Sequence, residues 1–323
     1  MSRSGALITW VAALLLTVGV MPAGRAVADE QGHGRAGELI AFAAVVQGRS
    51  QLFTVRPDGT GLTRVVTSRP DLDLLKPEWS PDGRTIVFEW ANDVEGQLGR
   101  VDVDGRNLRL RPVTDSFASE PTYTPDGRWL LFEKFQLDPE VDAIFQTTPD
   151  WHGERQVTFP PTGSYDTDPS VSPDGRSLSF VRIRSGDDKQ SALVTLDLRT
   201  GREHQVTPFS ANVAVKQDWA PDGKRLTFTR DGHEAVPGIS SNVMTIAPSG
   251  RHQRAVTQYA GGERRAIVGS YSPDGRWIVY REESPDGARL MKIRTDGSRA
   301  TEVLAVPGLV PAFIDWGPGV RRR

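Results

Sequence analysis

The sequence predicts an all-β fold, a six-bladed β-propeller of four-stranded antiparallel blades, from two observations. A five-residue motif ending in Pro-Asp-Gly-Arg or Pro-Asp-Gly-Lys recurs at spacings of 44, 48, 48 and 52 residues. Its copies begin at Ser80, Thr124, Ser172, Ala220 and Ser272. Short alternating runs of apolar and β-branched residues follow each copy, as expected for strands. Repeated four-stranded units at this period are typical of propeller blades.

Each copy of the motif predicts a tight hairpin turn. Pro presets the second position of a type I turn, Asp suits the third, and Gly supplies the left-handed backbone conformation. The Ser or Thr that precedes the Pro in most copies places a hydroxyl where it can bond the turn backbone. This structural role explains the repeated Asp better than a ring of functional carboxylates does.

A large or apolar residue stands just before each turn, where it would end the innermost strand of a blade. These residues are Trp79, Tyr123, Val171, Trp219, Tyr271 and Trp316. Their fixed place in the repeat predicts packing between adjacent blades. It argues against an aromatic cage for a ligand.

The two ends of the repeat array predict how the ring closes. The array begins near Phe42 with a second strand that has no first strand before it. It ends near Trp316 with a first strand that has no second strand after it. We therefore expect the C-terminal strand to become the innermost strand of the first blade, which removes exposed sheet edges.

The repeated pattern of Trp-Ser-Pro-Asp-Gly-Arg, an apolar strand, Asp-Gly and Val-Thr resembles the WD40-like (PD40) repeat of the TolB family. Residues 78–88 match it well, and the resemblance covers roughly residues 38–317. TolB proteins carry an N-terminal α/β domain, for which this chain is expected to have no room. The resemblance implies protein partners in the cell envelope.

The chain is predicted to divide into four parts. Residues 1–28 have the layout of a signal peptide: Arg3, an apolar run over residues 6–20, and Ala26-Val27-Ala28 before a cleavage point. Residues 29–37 are a predicted flexible leader, residues 38–317 the propeller with 311–317 completing blade 1, and residues 318–323 a tail. The mature protein is expected to be extracellular or periplasmic. An uncleaved N-terminal anchor is the alternative.

Composition narrows the possible partners. The 323 residues carry a formal net charge of −2 and contain no Cys, which excludes disulfides and attachment through an N-terminal Cys. No basic stripe suggests nucleic acid. The apolar run over residues 6–20 is too short for a comfortable membrane span, and we expect no span in the mature chain. A monomer is expected.

Catalytic residues are predicted to be absent. The chain has no Gly-x-Ser-x-Gly, and its five His show no metal-ligand spacing, so no cofactor is expected. One set of carboxylates near the inner strands forms a candidate site for a cation such as Ca²⁺ at the channel mouth. The set consists of Glu78, Glu120, Asp168, Asp218 and Asp315. The alternative is a solvated acidic rim.

Partner binding is expected on the propeller face that carries the strand 2–3 loops and the connections between blades, because these vary in length and content. The candidates are Trp90, Phe135, Tyr165, Asp166, His233, Glu234, Tyr259, Arg264 and Arg265. The predicted function is an exported non-catalytic scaffold that engages a protein, a peptide or a cell-envelope polymer through this face and the channel mouth. The alternative is an exported enzyme of lyase or lactonase type, acting there on a sugar or lactone.

Overall fold

A computed structural model describes residues 37–319, apart from 68, 70, 93–94, 115, 138–139, 187–189, 215 and 232–239. The predicted signal peptide, His233 and Glu234 lie outside the described residues. The described chain forms six four-stranded antiparallel sheets and contains no α-helix, which confirms the predicted six-bladed β-propeller. None of its described helical segments has the length and apolar character needed to cross a bilayer.

The first three blades alternate short hairpins with longer connections. Blade 1 begins with β1 (Ile40–Val46), β2 (Arg49–Val55) and β3 (Thr63–Arg64). Blade 2 comprises β4 (Asp73–Trp79), β5 (Thr85–Ala91), β6 (Gly96–Asp102) and β7 (Arg109–Leu110). Blade 3 comprises β8 (Ser116–Tyr123), β9 (Leu130–Leu137), β10 (Glu140–Thr147) and β11 (Arg155–Gln156).

The last three blades repeat the arrangement. Blade 4 comprises β12 (Ser164–Val171), β13 (Ser177–Arg184), β14 (Ser191–Asp197) and β15 (Glu203–Gln205), followed by a 3-10 turn (Phe209–Ala211). Blade 5 comprises β16 (Gln217–Trp219), β17 (Leu226–Arg230), β18 (Asn242–Ile246) and β19 (Arg254–Ala255). Blade 6 comprises β20 (Arg265–Tyr271), β21 (Trp277–Ser284), β22 (Gly287–Arg294) and β23 (Thr301–Leu304), and β24 (Pro311–Trp316) follows it.

Ring closure is confirmed. The C-terminal strand β24 pairs antiparallel with β1, so the first sheet has the order β24, β1, β2, β3. Ile40 lies opposite Trp316, and Ala43 lies opposite Ala312. The backbone N–H of Gly317 then donates to the carbonyl of Leu39 at 2.8 Å. The two ends of the chain therefore complete one blade.

The hairpin turns use the repeated motif as its chemistry predicts. In the first copy, the Ser80 hydroxyl donates to Asp82 Oδ1 at 2.7 Å, and the backbone N–H of Arg84 donates to the same oxygen at 3.1 Å. The N–H of Thr85 donates to Ser80 Oγ at 3.0 Å. Gly83 has a φ of 70°, in the left-handed region. The repeated Asp is thus a turn residue.

The hydrophobic core lies between neighbouring blades, and the aromatic residues at the ends of the inner strands belong to it. Trp79 of blade 2 donates its indole N–H to the Asp315 carbonyl of blade 1 at 3.3 Å. Trp219 of blade 5 does the same to the Ser170 carbonyl of blade 4 at 3.2 Å. Both indoles are buried. A Cβ added at Gly317 would lie 2.5 Å from the Trp79 ring, so this contact needs glycine.

Strand lengths differ from the expected ones on the propeller face that carries the strand 2–3 loops and the connections between blades. We call this face the variable face. Trp90 and Phe135 were expected in loops, yet they lie within β5 and β9. Tyr165 and Asp166 were expected in a connection between blades, yet they lie in the inner strand β12. Hairpin pairing extends these strands beyond the point where the alternating pattern weakens.

Candidate functional site

The centre of the ring is built by the innermost strand of each blade, and side chains there bond the neighbouring blade. Asp315 Oδ2 in blade 1 accepts from the backbone N–H of Trp79 in blade 2 at 2.9 Å. Asp168 Oδ2 in blade 4 accepts from the N–H of Lys216 in blade 5 at 2.7 Å. Each carboxylate therefore joins the inner strands of two blades.

The four remaining junctions are closed in a similar way, three by a carboxylate and one by a serine hydroxyl. The carboxylate of Glu78 accepts from the Thr122 hydroxyl at 3.3 Å, which joins blade 2 to blade 3. The other bonds are from the Asp168 N–H to Glu120 Oε2 at 2.5 Å, the Tyr271 N–H to Asp218 Oδ2 at 2.8 Å, and the Trp316 N–H to Ser270 Oγ at 2.7 Å. Every junction of the six-bladed ring carries one such bond. We call this set the inter-blade ring.

A bulge with left-handed backbone places these side chains. Three residues before the last residue of the inner strand, five blades carry a non-glycine residue with φ between 50° and 91°. These residues are Lys76, Glu120, Asp168, Lys216 and Phe313. The strand registers of blades 2, 3, 4 and 6 shift at the same point. A bulge re-aims a side chain, and its conformation costs of order 1–3 kcal/mol per residue.

Two lysines that the sequence interpretation missed lie among these carboxylates. Lys216 Nζ in blade 5 is 2.9 Å from Glu78 Oε2 in blade 2. Because blades 2 and 5 are opposite each other in a six-membered ring, this ion pair spans the channel. Lys76 Nζ lies 3.0 Å from Glu120 Oε1 and 3.3 Å from Glu89 Oε2. The two lysine ammonium groups therefore link carboxylates of different strands at the centre of the ring.

Carboxylates outnumber the two lysines at the centre, and burial raises the pKa values of several of these carboxyl groups. Burial, reinforced by Asp315, raises the pKa of Glu78 to about 8. Burial and the neighbouring Glu120 raise the pKa of Asp168 to about 8. Burial raises the pKa of Asp218 to about 7, against the opposing effect of Lys216. Some of the central carboxyls therefore hold protons near neutral pH.

The five carboxylates proposed for a cation are thus bonded within the protein. All of them are buried or half-buried. Among the residues that the structure describes, no group of three or more His, Asp or Glu is arranged to hold a metal ion. Calcium binding at the channel mouth stays a prediction.

We expect the free energy of unfolding to fall as the pH rises from 6 to 9. Glu78, Asp168 and Asp218 have folded-state pKa values of about 8, 8 and 7, above those of an unfolded chain. Protons bound by such groups stabilise the folded state, and that stability is lost as the pH passes their folded pKa. Urea denaturation at each pH should show a decrease of roughly 1–3 kcal/mol.

Asp218→Asn should flatten this profile, because an amide cannot ionise. Lys76 and Lys216, whose pKa values are raised by the surrounding carboxylates despite burial, stay charged across the window. The control is Asp222→Asn, in an exposed turn, which should keep the slope of the wild type. Stability that increases from pH 6 to 9 would contradict the assignment.

Two of the partner-binding candidates are not on the surface, which corrects the prediction. Trp90 is 5 % exposed, and its indole N–H donates to the Leu98 carbonyl at 3.0 Å. Asp166 is fully buried and accepts two bonds from Arg182, at 2.7 and 2.9 Å. Both side chains support the fold.

The other described candidates are half-buried or exposed and lie in three places. Phe135 is half-buried against Phe117, with ring centroids 6.3 Å apart. On blade 6, the Tyr259 hydroxyl donates to Glu282, the exposed Arg264 lies 5.9 Å over the Tyr259 ring, and Arg265 pairs with Glu283 at 3.1 Å. The half-buried Tyr165 packs against the core between blades 4 and 5.

A cavity of about 560 Å³ opens on blade 4, and the sequence interpretation missed two of its main residues. Arg184 ends β13, and Phe209 lies in the connection to blade 5. The guanidinium carbon of Arg184 is 3.8 Å from the centre of the Phe209 ring. The segment between blades 3 and 4 provides another wall, from Pro161 to Ser164. These parts come from the face with the variable connections.

Comparison with known proteins shows the fold. No family model matches the chain. TolB from Acinetobacter baumannii superposes with a TM-score of 0.68 and 18 % identity, over 87 % of this chain and 67 % of that one. A putative TolB from Agrobacterium tumefaciens gives 0.63 and 17 %, over 83 % and 90 %. An oligogalacturonate lyase in complex with manganese gives 0.55 and 15 %, over 83 % and 73 %. The chain therefore shares its propeller fold with TolB proteins and with a lyase.

Proposed function

We propose that this protein is an exported, non-catalytic binding scaffold with TolB-like PD40 repeats. Its partner is a protein, a peptide or a cell-envelope polymer. The proposal rests on the bonding at the ring centre. The charged side chains there join neighbouring blades or form an ion pair across the channel. The variable face keeps a cavity and exposed arginines, which suit binding.

Export and partner class have separate support. The layout of residues 1–28 is that of a signal peptide, and the fold is that of TolB proteins. The turns on the opposite face are uniform and bonded internally through their own Asp and Ser side chains. Variation is concentrated on one face, as expected for recognition on a rigid frame.

The likeness to an oligogalacturonate lyase gives the enzyme alternative a specific basis. In that case the channel mouth would act on a sugar or lactone. Three histidines are described here, namely His152, His204 and His252. All three are exposed and lie in turns or in the outer strand β15, away from the inner strands. This placement favours the scaffold.

Capture from an envelope extract of the source organism tests the proposal, with paired variants on the two faces of blade 6. Arg264→Glu changes the variable face, and Arg276→Glu changes an exposed turn on the other face. We expect the mature wild type and Arg276→Glu to retain the same partner, and Arg264→Glu to retain less of it.

Metal analysis and activity assays on the same protein distinguish the enzyme. Turnover of a uronate oligomer or a lactone, together with a stoichiometric bound transition metal, would contradict the scaffold. Capture that is equally reduced by both variants would contradict the assignment to the variable face.

A further inference from the structure

We propose that the blade 4 cavity binds a peptide carboxylate through Arg184. This inference rests on the proposed binding function and names the ligand chemistry of one part of the variable face. The cavity volume of about 560 Å³ is within the range of sites that enclose small ligands or a few peptide residues. Its walls combine arginine, aromatic and proline side chains.

Arg182, at the back of the cavity, is fully engaged within the protein. Its Nε and Nη2 donate to Asp166 at 2.7 and 2.9 Å, and its Nη1 and Nη2 donate to Glu203 at 2.7 and 2.9 Å. Two carboxylates therefore neutralise this guanidinium and fix its orientation. Arg182 forms a rigid wall, and the ligand has to be recognised by another group.

Arg184 carries the positive charge that remains. Its guanidinium lies against the face of Phe209, a contact that orients the guanidinium plane, and the Arg184 side chain is exposed to solvent. No carboxylate among the residues that the structure describes pairs with it. A planar guanidinium held in this way suits the two oxygens of a carboxylate, which it can bind with two parallel N–H bonds.

Two other polar side chains of the cavity have internal partners. Ser164 Oγ donates to the Pro161 carbonyl at 2.9 Å, and Gln205 Nε2 donates to the Thr207 carbonyl at 2.9 Å. Pro161, Val194 and Phe209 add apolar surface. The chemistry that fits is therefore a carboxylate with an apolar neighbour, from either a peptide C-terminus or an acidic side chain beside an aliphatic residue.

Three acetyl-capped tripeptides test this chemistry on the mature protein. Leu-Ala-Leu with a free C-terminus and Leu-Glu-Leu-amide each carry one carboxylate, and Leu-Gln-Leu-amide carries none. The readout is an NMR titration of arginine Nε–Hε signals. At least one carboxylate peptide should bind about tenfold more tightly than the Gln peptide and weaken between 50 and 500 mM salt, because salt screens exposed charges. The peptide that binds identifies the source of the carboxylate.

Variants assign the interaction. Arg184→Gln should weaken carboxylate binding about tenfold, the loss expected when a bidentate ion pair is removed. Phe209→Leu keeps apolar volume without an aromatic face and should weaken it less. Arg176→Gln, an exposed arginine in a turn of the same blade, is the control and should bind like the wild type. Thermal melts of all variants confirm folding.

Equal binding of the three peptides, or unchanged carboxylate binding by Arg184→Gln, would overturn this site. The proposed function is tested independently, on blade 6, by capture of a partner. A partner captured normally by a protein that ignores both carboxylate peptides would leave the scaffold intact and remove only the blade 4 proposal.

Discussion

Deletion of residues 310–323 is expected to abolish cooperative folding of the propeller. The deleted segment contains β24, which pairs with β1 and buries Ile314 and Trp316. It also removes Asp315, whose carboxylate holds the inner strand of blade 2. Loss of this innermost strand exposes the edge of β1 and the surfaces of blades 2 and 6 that pack against it, at a cost comparable with the 5–15 kcal/mol stability of a typical domain.

Circular dichroism during a thermal scan checks this result, with deletion of residues 320–323 as the control. The short deletion keeps β24 and should melt like the full chain. The long deletion should yield an insoluble protein or one without a cooperative transition. A long deletion that melts within a few degrees of the full chain would show that the C-terminal strand does not close the ring.

Lys216→Met is expected to destabilise the propeller by about 3–5 kcal/mol at pH 8, the usual cost of removing one partner from a buried ion pair. The variant leaves Glu78, Asp168, Asp218 and Asp315 near the centre without this cation. The loss should be smaller at pH 5, because protonated carboxyls need no counter-charge. Urea denaturation at the two pH values measures both quantities.

The double variant Lys216→Met with Glu78→Gln should recover part of the stability lost at pH 8, because it also removes one of the unpaired carboxylates. Arg84→Met is the control: Arg84 is exposed, 4.0 Å from Asp82, and its removal should cost less than about 0.5 kcal/mol. A Lys216→Met cost as small as that of the control would show that the ion pair across the channel contributes nothing to stability.

The fold could be predicted because its signals are local. Each Pro-Asp-Gly turn fixes a hairpin by backbone conformation, and Gly83 has the left-handed φ that the motif requires. The six residues that end the inner strands, one in each blade, give the number of blades. The unpaired strands near Phe42 and Trp316 then predict the closure, since each supplies what the other lacks.

The candidate site could be predicted only in part, because it depends on contacts between distant segments. Glu120 and Asp168 were singled out from their register, but Lys76 and Lys216 occupy the same position in their blades and were missed. A lysine in a strand usually indicates a solvated face. Comparison of the residues three places before the end of every inner strand would have found both lysines.

The prediction of surface residues was wrong where hairpin pairing extends a strand beyond its expected end. The pairing of Trp90 with Gln97 continues β5 beyond its apolar pattern and turns the indole into the core. Arg184 and Phe209 were not linked in the sequence, because the blade 4 meander brings them together over an intervening hairpin and the outer strand β15. Their contact is a property of the folded blade.

The position of every blade in the closed ring depends on the pairing of β24 with β1. An engineered disulfide measures that pairing most directly, because the chain contains no Cys of its own. Ala43 and Ala312 are direct partners, so the variant Ala43→Cys with Ala312→Cys should form an intramolecular disulfide nearly completely on mild oxidation. The control Ala41→Cys with Ala312→Cys is out of register and should stay reduced. Equal oxidation of both pairs, or none in the first pair, would contradict the closed ring.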